Sequence, residues 1–293
     1  MRGYALRVAA PVGPIAGLAL AVIVLAAGCA GIGAAAAGAG GAVVGVLIAA
    51  ALTAAAYAYC DRLALSAVLA RPVSEVEHPD LYRLVRELSK AGRLPVPRLY
   101  LSPAEQPNSF VVGRGPRTAA VCCTEGLLGI LDETELRGVL SHELAHVSGR
   151  DILASSVSAG LARVITFPAG AGRLLPGRRA AAGPGAVEAV LMLVFGPIAA
   201  LVVRLAVTRS REYRADAAAA LVAGDPVALA SALRKIDFRA AQLPQAPDAR
   251  LTSVGHLMIA SPFRADGIAR LFGTHPSVSE RVRRLEILTG YRR

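Results

Sequence analysis

Two long apolar stretches at the start of the chain restrict its fold more than anything that follows. The first runs from about Val8 to Ala27, the second from about Gly41 to Tyr59. Each reaches the roughly 20 residues with which a helix crosses the hydrocarbon core of a bilayer. In lipid the backbone must satisfy its own hydrogen bonds, so such stretches form helices. Arg2 and Arg7 precede them, which is also how a secretory signal begins. The apolar character continues with breaks to Tyr59, far beyond a signal core of roughly 7–15 residues. Residues 1–70 therefore read as a transmembrane helical hairpin that turns at Gly28–Gly33 and the Ala/Gly stretch behind it. Arg2, Arg7, Arg62 and Arg71 flank the pair, and the turn carries no charge. By the positive-inside bias both ends of the hairpin face the cytoplasm.

Composition supports a membrane setting. Apolar residues make up 54% of the 293, above the roughly 45–50% of soluble domains. The net charge of +11 suits either nucleic acid or an anionic membrane. No nucleic-acid module is present, and the Arg residues sit beside apolar segments. A lipid bilayer is therefore the expected partner, and nucleic acid is not. The four cysteines, Cys29, Cys60, Cys122 and Cys123, show no disulfide or zinc-ribbon spacing and read as reduced and structural. The glycines at 28, 31 and 33 have no preceding strand, which argues against a nucleotide loop.

Residues 71–293 read as a second unit, mainly α with a small sheet. His78–Ala91 is amphipathic, with Leu81, Leu84, Val85 and Leu88 at helical spacing. Arg98–Leu101, Ser109–Val112 and Thr118–Cys122 read as strands, the last two joined as a hairpin through Gly113–Pro116. Thr124–Ile130 is a short helix. Asp132 with Glu135 forms a capping box for the helix that runs through His146. Two apolar helices, about 152–169 and 186–207, interrupt the unit. The connector between them holds Arg173, Arg178 and Arg179, against the positive-inside bias, so they either enter the bilayer in part or pack on the first pair. Helices follow at Ser210–Ala223, from Pro226 to about Phe238, and at Ser277–Leu288.

The chemistry lies in Ser141-His142-Glu143-Leu144-Ala145-His146. Spacing of four places both imidazoles on one helical face, where they can share one zinc ion. Zinc lowers the pKa of a coordinated water to about 7. Glu143, between the two histidines, is positioned to serve as general base. A catalytic zinc usually takes a third protein ligand. Arg211-Glu212-Tyr213-Arg214-Ala215-Asp216 offers two carboxylates on one helical face. Taken alone it suits a solvated helix with Glu–Arg pairs. Beside the upstream histidines, Glu212 is a candidate ligand and Asp216 a candidate hydrogen-bond partner that fixes a histidine tautomer.

These residues resemble the membrane zinc peptidases typified by the bacterial heat-shock protease HtpX, relatives of the CAAX prenyl endopeptidase. The resemblance covers most of the chain. It takes in the apolar hairpin, Pro107-Asn108-Ser109-Phe110, Val121–Leu128, the zinc helix, the two later apolar stretches, Glu212 with Asp216, and Leu271-Phe272-Gly273-Thr274-His275-Pro276. It implies a gluzincin, a zincin-type metallopeptidase domain with integral membrane helices. One zinc per chain would be held by His142, His146 and Glu212, with Glu143 as base and Asp216 in support. His275 and Arg281 match a downstream His and Arg near the active site, and His275 is a candidate for stabilising the oxyanion. Asn108, Ser109, Phe110, Val111 and Val112 match a substrate-binding edge strand, to which an extended peptide can add. Ser109 stands where the family's pattern has Ala.

The expected function is a stress-response endopeptidase of the cell membrane. It would be multi-pass, with its catalytic domain facing the cytoplasm, cutting misfolded or damaged membrane proteins. Two alternatives remain at this point: a prenyl-protein-type processing peptidase, and a silent membrane scaffold that keeps the zincin fold. Oligomeric state is not legible.

Overall fold

The computed structural model describes residues 12–148, 152–170, 186–206, 209–245, 249–263 and 276–289. His275, residues 171–185 of the Arg-rich connector and residues 246–248 of the Pro-containing loop lie outside them.

Helix α1 (Val12–Ala67) contains non-helical backbone at Ala37 and at Gly38, whose φ is 59°. Glycine enters this left-handed region without steric cost. A Cβ at Gly33 would overlap the Gly41 carbonyl, and one at Gly45 would overlap the Cys29 carbonyl. Residues eight apart in an unbroken helix stand ~12 Å apart, so the chain doubles back at 37–38. The reversal therefore falls in the Ala/Gly stretch and not at Gly28–Gly33, whose residues are helical. Small residues are used there for close backbone approach, not for turning. In the returning half only a narrow stripe, with Ala49, Ala56 and Cys60, is buried. Val43, Val44, Val46, Leu47 and Ile48 are exposed. An 18-residue window within residues 15–67 reaches a mean hydropathy of 2.5, and such an apolar surface facing outward is what lipid solvates.

Beyond α1 come β1 (Arg71–Pro72), α2 (Pro79–Gly92), β2 (Arg98–Ser102), β3 (Ser109–Val112), β4 (Ala120–Thr124) and α3 (Glu125–Ile130). The sheet order is β1-β2-β4-β3. β2 runs parallel to β4, whereas β3 pairs antiparallel with β4, matching Ser109 to Cys123 and Val112 to Ala120. β4 begins two residues later than the β-branched run from Thr118 suggests. Pro116–Thr118 closes a 3₁₀ turn instead.

Side chains alternate across the sheet. Leu99, Leu101, Val111, Val121 and Cys123 join one core with α2 and the helices α4 (Glu133–Ser148) and α9 (Pro226–Gln242). Phe110, Val112, Ala120 and Cys122 join another with the end of α1 and with α5 (Ile152–Ile165). The two adjacent cysteines thus serve opposite cores, and both are free thiols. The sheet stands between the helix that carries His142 and His146 and those packed with the end of α1.

Helices α6 (Phe167–Gly170), α7 (Ala186–Ala206), α8 (Arg209–Ala223), α10 (Leu251–Val254) and α11 (Val278–Leu288) complete the described chain. α5 packs on α1 and α7. A Cβ at Gly160 would press on the Ala56 carbonyl at 2.8 Å, so α5 lies against the first hairpin at a glycine. α9 continues to Gln242, one turn beyond Phe238.

Candidate active site

Helix α4 is fixed at its start. Asp132 Oδ1 accepts from the Glu135 backbone N–H at 2.9 Å, and Glu135 Oε2 accepts from the Asp132 N–H at 3.1 Å. Glu135 also accepts from Ser231 Oγ and Lys235 Nζ of α9, each at 2.7 Å. The same carboxylate therefore caps α4 and ties it to α9, setting its rotation about its axis. Gly138 packs against Leu229 at a distance that leaves a Cβ only 3.1 Å.

This rotation carries His142 and His146 toward α8. Their Nε2 atoms lie 3.2 Å apart. Glu212 brings Oε2 to 3.7 Å from His142 Nε2 and Oε1 to 3.6 Å from His146 Nε2. All three groups are buried, and their ligand atoms fall within 4.8 Å of one another. A tetrahedral zinc with bonds of about 2.0–2.1 Å would separate its ligand atoms by roughly 3.3–3.4 Å. The observed triangle has nearly those edges, so the donor set fits a tetrahedral cation. The three donors come from two helices far apart in sequence, with α5 and α7 between them.

Tautomer assignment agrees. His142 Nδ1 lies 2.9 Å from Asp216 Oδ1. Arg281 grips Asp216 through two bonds, Nε to Oδ2 at 2.8 Å and a terminal nitrogen to Oδ1 at 2.7 Å. Burial works against ionising Asp216, but the guanidinium and His142 outweigh it and hold the carboxyl well below the usual carboxylate range. Asp216 is thus an acceptor, and His142 Nδ1 donates to it. That leaves the His142 Nε2 lone pair facing the triangle. Arg281 also approaches Nδ1 at 3.4 Å. Both contacts cannot be hydrogen bonds to one protonated nitrogen, and the shorter, charge-assisted one prevails. Burial pulls His146 well below its ordinary value, with Glu212 opposing, which favours the neutral ring that a metal ligand would need.

Glu143 lies on the same helix and is 1% exposed. Ser109 Oγ, at the start of β3, donates to Glu143 Oε1 at 2.7 Å. Burial pushes Glu143 up to about 7, and Glu212 pushes the same way; His142, Ser109 and Arg281 pull it down. A carboxyl at that value accepts a proton and releases it again near neutrality.

Each sequence-derived residue has a definite place except His275, which lies outside the described residues. His142, Glu143, His146, Glu212, Asp216 and Arg281 converge. Arg281, read from the sequence only by resemblance, is fully buried and also donates to the Ile259 carbonyl at 2.8 Å. Asn108, Ser109, Phe110, Val111 and Val112 occupy a sheet edge, yet all five are buried. The Ser109 carbonyl accepts from Ile259 N at 2.9 Å, and Asn108 Nδ2 donates to the Ala260 carbonyl at 3.0 Å. Residues 259–260 therefore already pair with the first two residues of that segment. Two features had no sequence signal: the Ser109–Glu143 bond, and Arg211, which donates to Ser155 of α5 and lies 3.8 Å from Glu212.

Comparison with known proteins agrees with this geometry. The description of peptidase family M48 matches residues 75–289. The chain belongs to peptidase family M48. A protein named "Protease HtpX homolog" from Kineococcus radiotolerans is 53% identical over 249 residues, covering 83% of this chain and 85% of that one. Another of that name, from Paenarthrobacter aurescens, is 50% identical over 242 residues, covering 81% and 82%. The solved structure of S. mikatae Ste24p matches with a TM-score of 0.42 at 14% identity, over 74% of this chain and 52% of that one. As a member of family M48 with the two HtpX-named relatives, the chain is a membrane metalloprotease.

Proposed function

We propose that the chain is a zinc-dependent endopeptidase that cuts misfolded or damaged membrane proteins. The supporting observation is the triangle of His142, His146 and Glu212, with Glu143 buried beside it. Two imidazoles and one carboxylate are the donor set of a catalytic zinc with one open position. When bound, zinc would polarise the scissile carbonyl as a Lewis acid and activate water.

The chain's own groups supply the rest. Glu143 takes a proton from the attacking water and passes it to the leaving amine. Ser109 holds the Glu143 carboxylate in place. Asp216, anchored by Arg281, keeps the proton of His142 on Nδ1. His275 is proposed to donate to the oxyanion. Asn108–Val112 is proposed to bind substrate as an edge strand, with the pairing of residues 259–260 at Ser109 limiting addition to the remainder of β3. Two termini of the α1 hairpin on one side, flanked by arginines, support a multi-pass arrangement in the cell membrane with the catalytic unit facing the cytoplasm.

The test is cleavage of casein and of an unfolded membrane protein by the purified chain in detergent. Glu143→Gln is expected to lower the rate by roughly 10²–10⁴-fold, the usual worth of a positioned base, with metal content unchanged. A chelator should abolish cleavage, and added zinc should restore it. Full activity in Glu143→Gln would refute the assigned base. A preference for prenylated C-termini over internal bonds would refute the substrate class.

A further inference from the structure

Basic and aromatic side chains collect at the level where α1 leaves its apolar run. Tyr57 and Tyr59 are exposed there, followed by Asp61 and Arg62. The Arg62 guanidinium lies over the Tyr59 ring at 5.9 Å, and Arg114 lies over Tyr57 at 5.6 Å. Arg98 lies over Tyr100 at 5.8 Å and pairs with Asp61 at 2.8 Å. Tyrosines with cations in this arrangement mark the headgroup layer of a bilayer.

Between α1 and the β3–β4 turn lies an open groove of about 620 Å³, lined by Tyr57, Pro95, Arg114, Pro116, Arg117 and Thr118. No carboxylate lines it. Among the described residues, no ion pair joins Arg114 or Arg117 to an acid, and both are exposed. Asp61, the nearest acid on α1, is engaged by Arg98. The turn is rigid. Arg114 N donates to Thr118 Oγ1 at 3.1 Å, and Thr118 N donates to the Gly115 carbonyl at 3.0 Å. Gly113 has a φ of 151°, and a Cβ there would lie 2.8 Å from the Thr118 carbonyl. The two exposed guanidiniums therefore extend from a turn whose backbone is already ordered, so ordering the backbone adds little to the cost of binding.

We propose that this groove binds the phosphate of an anionic phospholipid headgroup, with Arg114 and Arg117 as its cationic contacts and Tyr57 as an apolar wall beneath the headgroup. Guanidinium groups match phosphate oxygens in geometry and charge. Two uncompensated cations favour a net-negative headgroup over a zwitterionic one, whose own cation they repel. The site would hold the β3–β4 turn, and with it the sheet, against the membrane surface.

The proposal rests on reading α1 as membrane-embedded. Its test is native mass spectrometry of the full chain in detergent, with phosphatidylglycerol, phosphatidylcholine and inorganic phosphate as separate probes. The wild type should retain phosphatidylglycerol in preference to phosphatidylcholine. Arg114→Gln with Arg117→Gln should weaken that retention on the order of 30-fold, following the usual gain per basic residue near an anionic surface. Arg114→Lys with Arg117→Lys keeps both charges and should stay within a few-fold of wild type, which separates loss of charge from misfolding. Casein cleavage should survive in both variants, since neither residue touches the catalytic groups. Equal retention of both lipids, or wild-type retention by the Gln variant, would overturn the proposal. Displacement of the lipid by inorganic phosphate would overturn it in favour of a soluble-anion site. Release of the chain from vesicles by alkaline carbonate would instead overturn the membrane reading, a separate result.

Discussion

At the scale of single residues, the centre depends on which group keeps which proton. As the proposed base, Glu143 works only when ionised. Burial raises it to about 7, and the Ser109 hydroxyl is among the groups that pull it down. Removing that donor in Ser109→Ala favours the protonated form, so the acid limb of the rate profile should move to higher pH. At alkaline pH the rate should approach wild type. A bound cation lowers Glu143 in both proteins and leaves the direction unchanged. A pH–rate series on both proteins decides this, and an acid limb that stays put or moves down would remove Ser109 from the account. Arg281 sets a second expectation. It is fully buried and holds Asp216 through two bonds, so Arg281→Ala leaves a buried carboxylate without its counter-ion. Breaking such a pair costs about 3–5 kcal/mol, to be read from denaturant unfolding in detergent. The His-Glu-x-x-His pattern was legible because all its parts lie within one turn of a helix. The bond from Ser109 to Glu143 was not, because it spans 34 residues and arises only once β3 pairs with β4.

At the scale of elements, close approach is achieved by residues without side chains. Gly33, Gly41 and Gly45 let the two halves of α1 meet backbone to backbone. A Gly33→Val substitution puts a branched side chain into the Gly41 carbonyl. It should sharply reduce the yield of folded, protease-resistant protein, whereas Gly40→Val, where nothing lies within 4 Å, should not. The apolar composition of this segment showed two helices joined within the Gly/Ala-rich stretch between them, but not at which residue of that stretch the chain reverses. Gly28, Gly31 and Gly33 offer the same turn chemistry as Gly38, and only packing distinguishes them. The capping box at Asp132 and Glu135 was legible as a local pattern. Its further bonds to Ser231 and Lys235 were not, because they lie about 100 residues away. The edge strand was legible from its β-branched residues. Its burial was not, since residues 259–260 that pair with it carry no strand pattern.

At the scale of the whole molecule, the sheet separates two cores. One core holds the helix that carries the histidines, and the other joins the end of α1 and α5. α5 and α7 separate the two parts of the proposed metal-binding set in sequence, yet α4 and α8 pack directly against each other. α5 in turn packs on α1 and α7, and Glu212, the proposed third ligand, is found only by its approach in space. The central claim is that His142, His146 and Glu212 together hold one metal ion. The most direct measurement is the metal content per chain, by elemental mass spectrometry, of wild type, Glu143→Gln and Glu212→Ala purified alike. The account predicts one zinc in wild type and in Glu143→Gln, and little or none in Glu212→Ala. A full complement of zinc in folded Glu212→Ala would contradict it.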